Sequence, residues 1–343
     1  TYYLGDGSVT VDKDDTRGAY SYQGEDGSEE HRTYVNEDEA DHGVINVKGG
    51  NAPTEDVLPS TDNSDNGTEE TTPTDTTTDS SGNNAENSPT AETTTGNTIT
   101  VKEDVKDATI VVEGVNVDTS TQTEVPVDAK EDKTIIKVGE GADVDLTVKD
   151  SNLTTGGNGI DIGVNLDDKD DNKETNVDLT LDNTKINLTE NATAGINARD
   201  NSDVDITLKG DNTIDGSEAI DKVTEGGEHD ISKDNVNIEG IRVGGEGASD
   251  SSDASEGANT KLTISGGVEK TETAETDTEE TESPAGGSLT ISDTTGGLVM
   301  ADGSDVEITD GANVTIEETK TSGSTQAGRG VTQHGDLTIS GGS

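Results

Sequence analysis

Asp143-Val-Asp-Leu-Thr-Val148 returns as Asn176-Val-Asp-Leu-Thr-Leu181 and again as Asp203-Val-Asp-Ile-Thr-Leu208. In each copy apolar and polar residues alternate. On an extended chain Val144, Leu146 and Val148 then share one face, and Asp143, Asp145 and Thr147 share the other. Asn235-Val-Asn-Ile-Glu-Gly240 reads as a fourth copy, and the four begin 33, 27 and 32 residues apart. Shorter copies follow at Lys261–Ser265, Ser288–Ser292, Asp305–Thr309 and Asp336–Ser340. Between copies lie secondary strands such as Lys185-Ile-Asn-Leu188 and Asn313-Val-Thr-Ile316. A third type opens on glycine: Gly159-Ile-Asp-Ile162, Gly195-Ile-Asn-Ala198 and Gly297-Leu-Val-Met300. A period near 30 residues holds three short strands and three turns, which is one rung of a triangular solenoid. The sequence therefore predicts an all-β chain, a right-handed parallel β-helix (β-solenoid) interrupted by low-complexity acidic insertions. An antiparallel sandwich also uses short alternating strands at even spacing, but it does not account for motifs that recur in a fixed order. No segment sustains a 3.6-residue apolar period, so helix is expected to be nearly absent.

The composition fits stacked rungs better than a globular core. The 343 residues include no Phe, Trp or Cys, and the five tyrosines all lie before residue 35. A core must then be built from Val, Ile and Leu, of which the chain has 61, with nine in residues 1–96 and 52 beyond. The first region resembles a disordered composition, whereas the second places its aliphatics at alternating positions, which disorder does not require. Residues 1–50 read as an N-terminal β cap or docking segment, since end rungs of solenoids expose apolar surface. Residues 51–96, rich in Thr, Ser, Asp and Glu, read as a disordered insert or linker. Residues 97–343 read as the solenoid, with loops at 246–259 and 268–286.

With 75 acidic against 22 basic side chains, the net charge is −53. A polyanion repels nucleic acid and anionic lipid, which excludes those partners, and no stretch is apolar enough for direct membrane insertion. The expected partners are divalent cations, copies of the same module joined end to end or in tandem, and glycans or neighbouring cell surfaces bridged through cations.

The repeated Asp-Val-Asp-Leu/Ile-Thr motif, the Gly-Ile corner, the opening Tyr2-Tyr-Leu-Gly-Asp-Gly-Ser-Val-Thr-Val11 and the closing Gly335-Asp-Leu-Thr-Ile-Ser-Gly-Gly-Ser343 carry a resemblance. Together they resemble the pectin-lyase-like β-helix domains of large repeat-bearing bacterial surface proteins, adhesin-like or carbohydrate-binding. The resemblance implies a secreted or wall-associated, extracellular protein with adhesive or structural work. Its motifs are generic solenoid signals, and no binding residue transfers with them.

Acidic pairs such as Asp14-Asp15, Asp167-Asp168 and Asp170-Asp171 arise by chance in so acidic a chain. A lyase needs a base, and Arg199 and Arg242 are the candidates among only five arginines. Residues 35–343 contain no aromatic platform for a sugar, so a non-enzymatic chain is expected, with glycan binding or polysaccharide cleavage as the alternative. The four histidines (His31, His42, His229 and His334) are scattered, and the Gly residues lack the Lys-Ser/Thr of a phosphate loop. An ice-binding face built on Thr147, Thr180 and Thr207 would be spoiled by the aspartates beside it. Calcium is the cofactor the sequence favours. Asp168, Asp170 and Asn172 alternate like the ligands of a calcium loop but lack its Gly and Glu. Stacking would also set Asp143, Asn176 and Asp203 in one column and Asp145, Asp178 and Asp205 in the next. Like charges about 4.8 Å apart repel by about 1 kcal/mol even in water, which cations or salt would relieve.

Overall fold

The computed structural model describes residues 1–13, 20–23, 29–35, 44–51, 94–120, 133–166, 173–224, 237–245, 259–267, 286–319 and 328–343. The chain is all-β, and its strands stack into three parallel sheets of nine, six and ten strands, consistent with a β-solenoid. The path repeats. Asp143–Lys149 lies in the first sheet, Asn152–Thr155 in the second and Asn158–Val164 in the third. The next rung is Thr175–Asp182, Lys185–Leu188 and Ala194–Ala198, and the one after it Ser202–Lys209, Asp211–Asp215 and Glu239–Val243. Every pairing of named strands is parallel except Tyr20–Gln23 on Glu29–Val35, which closes one end of the third sheet.

Register follows the hydrophobic columns. Val144, Val177 and Val204 are consecutive neighbours, as are Leu146, Leu179 and Ile206. They belong to one buried cluster that runs from Leu4 to Ala312 and contains no aromatic residue, with Tyr2 packed against it. The sequence needs only aliphatics because each rung contributes a narrow layer, and identical layers interlock. Strands of residues 1–50 continue the same sheets: Tyr2–Tyr3 pairs with Val44–Lys48, and Ser8–Lys13 pairs with Ile99–Val101. The corner from first to second sheet is itself a column. Gly114, Asp150, Asn183 and Gly210 all adopt left-handed backbone, with φ of 63°, 47°, 51° and 61°. Glycine, Asn and Asp tolerate that region best.

The third sheet has a built-in irregularity. Its pairings pass over Gly159, Gly195, Gly240 and Gly297 while joining the residues on either side. Side chains three residues apart meet across the glycine, Asn158 with Asp161 and Glu239 with Arg242. An even pleat would point them to opposite faces, so the backbone departs from an even pleat at the glycine while the register is kept. The glycine is required by close approach: a Cβ on Gly195 would lie 2.6 Å from Ile214 Cγ2 and 2.8 Å from the Gly240 carbonyl oxygen.

Two sequence expectations need correction. The fourth copy, Asn235–Gly240, does not enter the first sheet over its described residues, 237–240. Its end forms Glu239–Val243 of the third sheet, with Gly240-Ile241 stacked on Gly195-Ile196. The true neighbour of Ser202–Lys209 is Lys261–Gly266. Ser288–Ser292 likewise belongs to the second sheet, between Asp211–Asp215 and Asn313–Glu317. Alternation reports which side chains face inward but not which sheet a strand joins. Among the described residues helix is nearly absent, as the sequence predicts: one is present, Ser217–Thr224, with Ala219 and Ile220 buried. At eight residues it is too short to show a period. The inserts read at 51–96, 246–259 and 268–286 fall almost wholly outside the described residues.

Candidate functional site: a carboxylate ladder on the first sheet

Asp145, Asp178 and Asp205 are direct neighbours on three successive strands. The inward residues on either side of each, such as Val177 and Leu179, are buried, which fixes the aspartates outward. Thr109 and Thr263 border the run. At its centre, the Asp178 carboxyl is held above the ordinary value. Partial burial is the largest cause, followed by Asp145 and Asp205 and then by Asp143 and Asp203. The contributions of the neighbouring aspartates, second to burial, are the kind of repulsion that stacking predicts.

The adjacent column behaves differently. Asp143, Asn176, Asp203, Lys261, Asp305 and Asp336 are successive neighbours, so a neutral or positive side chain separates the first three aspartates, and only Asp305 and Asp336 adjoin directly. Lys261 Nζ is 3.7 Å from Asp203 Oδ1. Asp143 and Asp203 are therefore two rungs apart, and direct contact of aspartates in this column is confined to Asp305 and Asp336. At the far edge of the sheet, Lys48, Glu113, Lys149, Asp182 and Lys209 alternate in sign through five strands. Lys48 and Lys149 reach Glu113 at 3.8 and 3.4 Å. Across Asp143–Lys149, Thr175–Asp182 and Ser202–Lys209, the two outer columns separate like charges and the middle one stacks them.

The remaining candidates separate clearly. Asp168, Asp170 and Asn172 lie outside the described residues, as do the pairs Asp14-Asp15, Asp167-Asp168 and Asp170-Asp171. Among the described residues, no three His, Cys, Asp or Glu side chains converge to hold a metal ion. The Asp145–Asp178–Asp205 column is a line of like charge on the outer face of the first sheet. His334 Nδ1 stands 3.8 Å from Asp302 Oδ1.

Both candidate bases are engaged by carboxylates. Arg199 Nε and Nη2 donate to Asp161 Oδ1 and Oδ2, each at 2.9 Å. Asn197 and Asn158 Nδ2 donate to the same two oxygens at 2.9 and 2.8 Å. Arg242 Nε donates to Glu239. The Asp161 side chain is 1% exposed and that of Arg242 6%. A buried carboxylate is stable only when its oxygens are satisfied, and Asp161 accepts four hydrogen bonds.

Sequence reasoning missed a second electrostatic centre. Lys13 Nζ and Lys173 Nζ both lie 2.8 Å from Asp104 Oδ2. These hydrogen bonds, Lys13 first and Lys173 next, hold the Asp104 carboxyl below its ordinary range, against an opposing effect of burial. The three residues are 91 and 69 positions apart, and only the stacking of rungs brings them together.

Comparison of the chain with family models, with curated proteins and with solved structures returned no match.

Proposed function

We propose that the chain is a non-catalytic structural module of an extracellular surface protein: a right-handed parallel β-helix with acidic insertions, adhesive through its polyanionic face and stacked with further copies of itself. The observation that carries this reading is the first sheet. Its inner columns form an uninterrupted aliphatic core, and its outer columns present a regular array of carboxylates and hydroxyls. Such a surface repeats along an axis, as a stalk or spacer does, without singling out one rung for chemistry. The ion pairs of Arg199 and Arg242 with Asp161 and Glu239 support the non-enzymatic reading. A catalytic base has to reach a substrate proton, and a guanidinium sequestered by a carboxylate is poorly placed for that.

In this proposal divalent cations, calcium foremost, associate with the Asp145–Asp178–Asp205 line and stiffen the module. The decisive measurement is the melting temperature in calcium chloride against sodium chloride of equal ionic strength. A larger rise in calcium, lost in Asp145→Asn/Asp205→Asn, supports cation association. Equal rises in the two salts would leave only general screening. Glycan binding is the competing reading, favoured by the resemblance to pectin-lyase-like domains. A glycan array together with a lyase assay on acidic polysaccharides tests it, and silence in both leaves the structural role.

A further inference from the structure

The first sheet poses a problem of order. Asp143–Lys149, Thr175–Asp182 and Ser202–Lys209 carry nearly the same apolar residues at each inward position: Val144/Val177/Val204, Leu146/Leu179/Ile206 and Val148/Leu181/Leu208. Packing alone does not distinguish stacking the third strand on the second from stacking it on the first. Chain length does not distinguish them either. Residues 143 and 203 are 60 positions apart, whereas Asp203 and Lys261, 58 positions apart, are direct neighbours in the structure. The fold already accommodates an excursion nearly as long as an omitted rung.

We infer that the column Lys48–Glu113–Lys149–Asp182–Lys209 is a stacking code that fixes rung order. In the native order all four neighbouring pairs are oppositely charged. Omitting any one rung sets Lys48 on Lys149, Glu113 on Asp182 or Lys149 on Lys209, and each of these pairs is like-charged. The opposite end of the strands repeats the rule, because omitting Thr175–Asp182 places Asp143 directly on Asp203 where Asn176 had separated them. Thr175–Asp182 thus differs from both flanking strands at these two outward positions and nowhere in its inward pattern. Single exposed ion pairs contribute little to stability. Order depends on a difference, an attraction in one arrangement set against a repulsion in the other at several places at once.

The chain has no cysteine, so introduced pairs report register directly. Thr147 and Thr180 are direct neighbours, and Thr207 follows Thr180. Adjacent parallel strands stand within disulfide reach and alternate strands do not. The test compares Thr147→Cys/Thr180→Cys with Thr147→Cys/Thr207→Cys after oxidative refolding at low salt. Each reporter is made with the native ladder and with the exchange Glu113→Lys/Lys149→Glu. The exchange keeps composition and net charge, makes two of the four neighbouring pairs like-charged, and gives all three skipped pairings opposite charges. With the native ladder the 147–180 bridge should dominate. With the exchange the 147–207 bridge should rise several-fold, and the difference should shrink in high salt. An unchanged ratio of the two bridges at low salt overturns the code. A full inversion, Lys48→Glu, Glu113→Lys, Lys149→Glu, Asp182→Lys and Lys209→Glu, covers an exchange that does not fold. Recovery of the 147–180 bridge by the inversion supports the code, and failure to recover it counts against the code.

Discussion

Two aspartates of one strand, four residues apart, should respond oppositely to the same substitution. Asp178 stands between Asp145 and Asp205 with its carboxyl held above the ordinary value. Asp182 stands between Lys149 and Lys209. Asp178→Asn should therefore raise stability at neutral pH by about 0.5 kcal/mol, and Asp182→Asn should lower it by a similar amount, the usual scale for exposed charge pairs. Urea unfolding at low salt measures both. A common sign for the two would show that side-chain volume or hydration, not charge order, controls these positions. Their pH dependence differs from that of Asp104. For Asp178 the folded state takes up a proton more readily than the unfolded chain. Its penalty is present above the raised value and disappears as pH falls through it. For Asp104, lowered by Lys13 and Lys173, the stabilisation is present above the ordinary carboxylate range and is lost as pH falls through the lowered value. On acidification the benefit of Asp178→Asn should fade first, and the cost of Asp104→Asn should persist to lower pH. Parallel urea titrations of the two variants and the parent between pH 7 and pH 3 check the order, and the reverse order would contradict the assigned shifts.

At the level of elements, the glycine of the third sheet is the sharpest determinant. Gly195→Ala would push a Cβ against Ile214 and the Gly240 carbonyl, whereas a Cβ on Gly330 would meet only Ile316 Cγ2 at 3.8 Å. The first substitution should cost about 1–3 kcal/mol as overpacking, and the second should stay within about 0.5 kcal/mol. Denaturant unfolding of the two separates them, and equal costs would mean that backbone entropy, not contact, sets the penalty. The same glycine marks where the sequence was legible and where it was not. Strand existence and inward faces were readable from alternation at Asp143, Asn176 and Asp203, and their predicted register is the observed one. Assignment to a sheet failed at Asn235–Gly240 and Ser288–Ser292, because period-2 alternation is common to all three sheets. The discriminating signal was the Gly-Ile step, and Gly240-Ile241 carries it. The alternating charges of Lys149, Asp182 and Lys209 were in plain view. They acquire meaning only once register is known, as does the meeting of Lys13, Asp104 and Lys173 on one carboxylate oxygen.

For the whole molecule, a net charge of −53 on a fold whose layers repeat every few ångströms makes self-repulsion a property of the entire chain. Added salt of any kind should stabilise it, and the calcium comparison asks whether one ion does so beyond its ionic strength. The first-sheet strands fall 27 to 58 residues apart from Asn176 to Lys261 and still stack in register. Rung geometry is thus uncoupled from the length of what joins the rungs. Lengthening or replacing a connection leaves the ladder neighbours unchanged, whereas a single charge reversal inside a strand alters two of them. Tolerance of sequence change should therefore be uneven along the chain: wide in what joins the rungs, narrow wherever a strand meets its two neighbours.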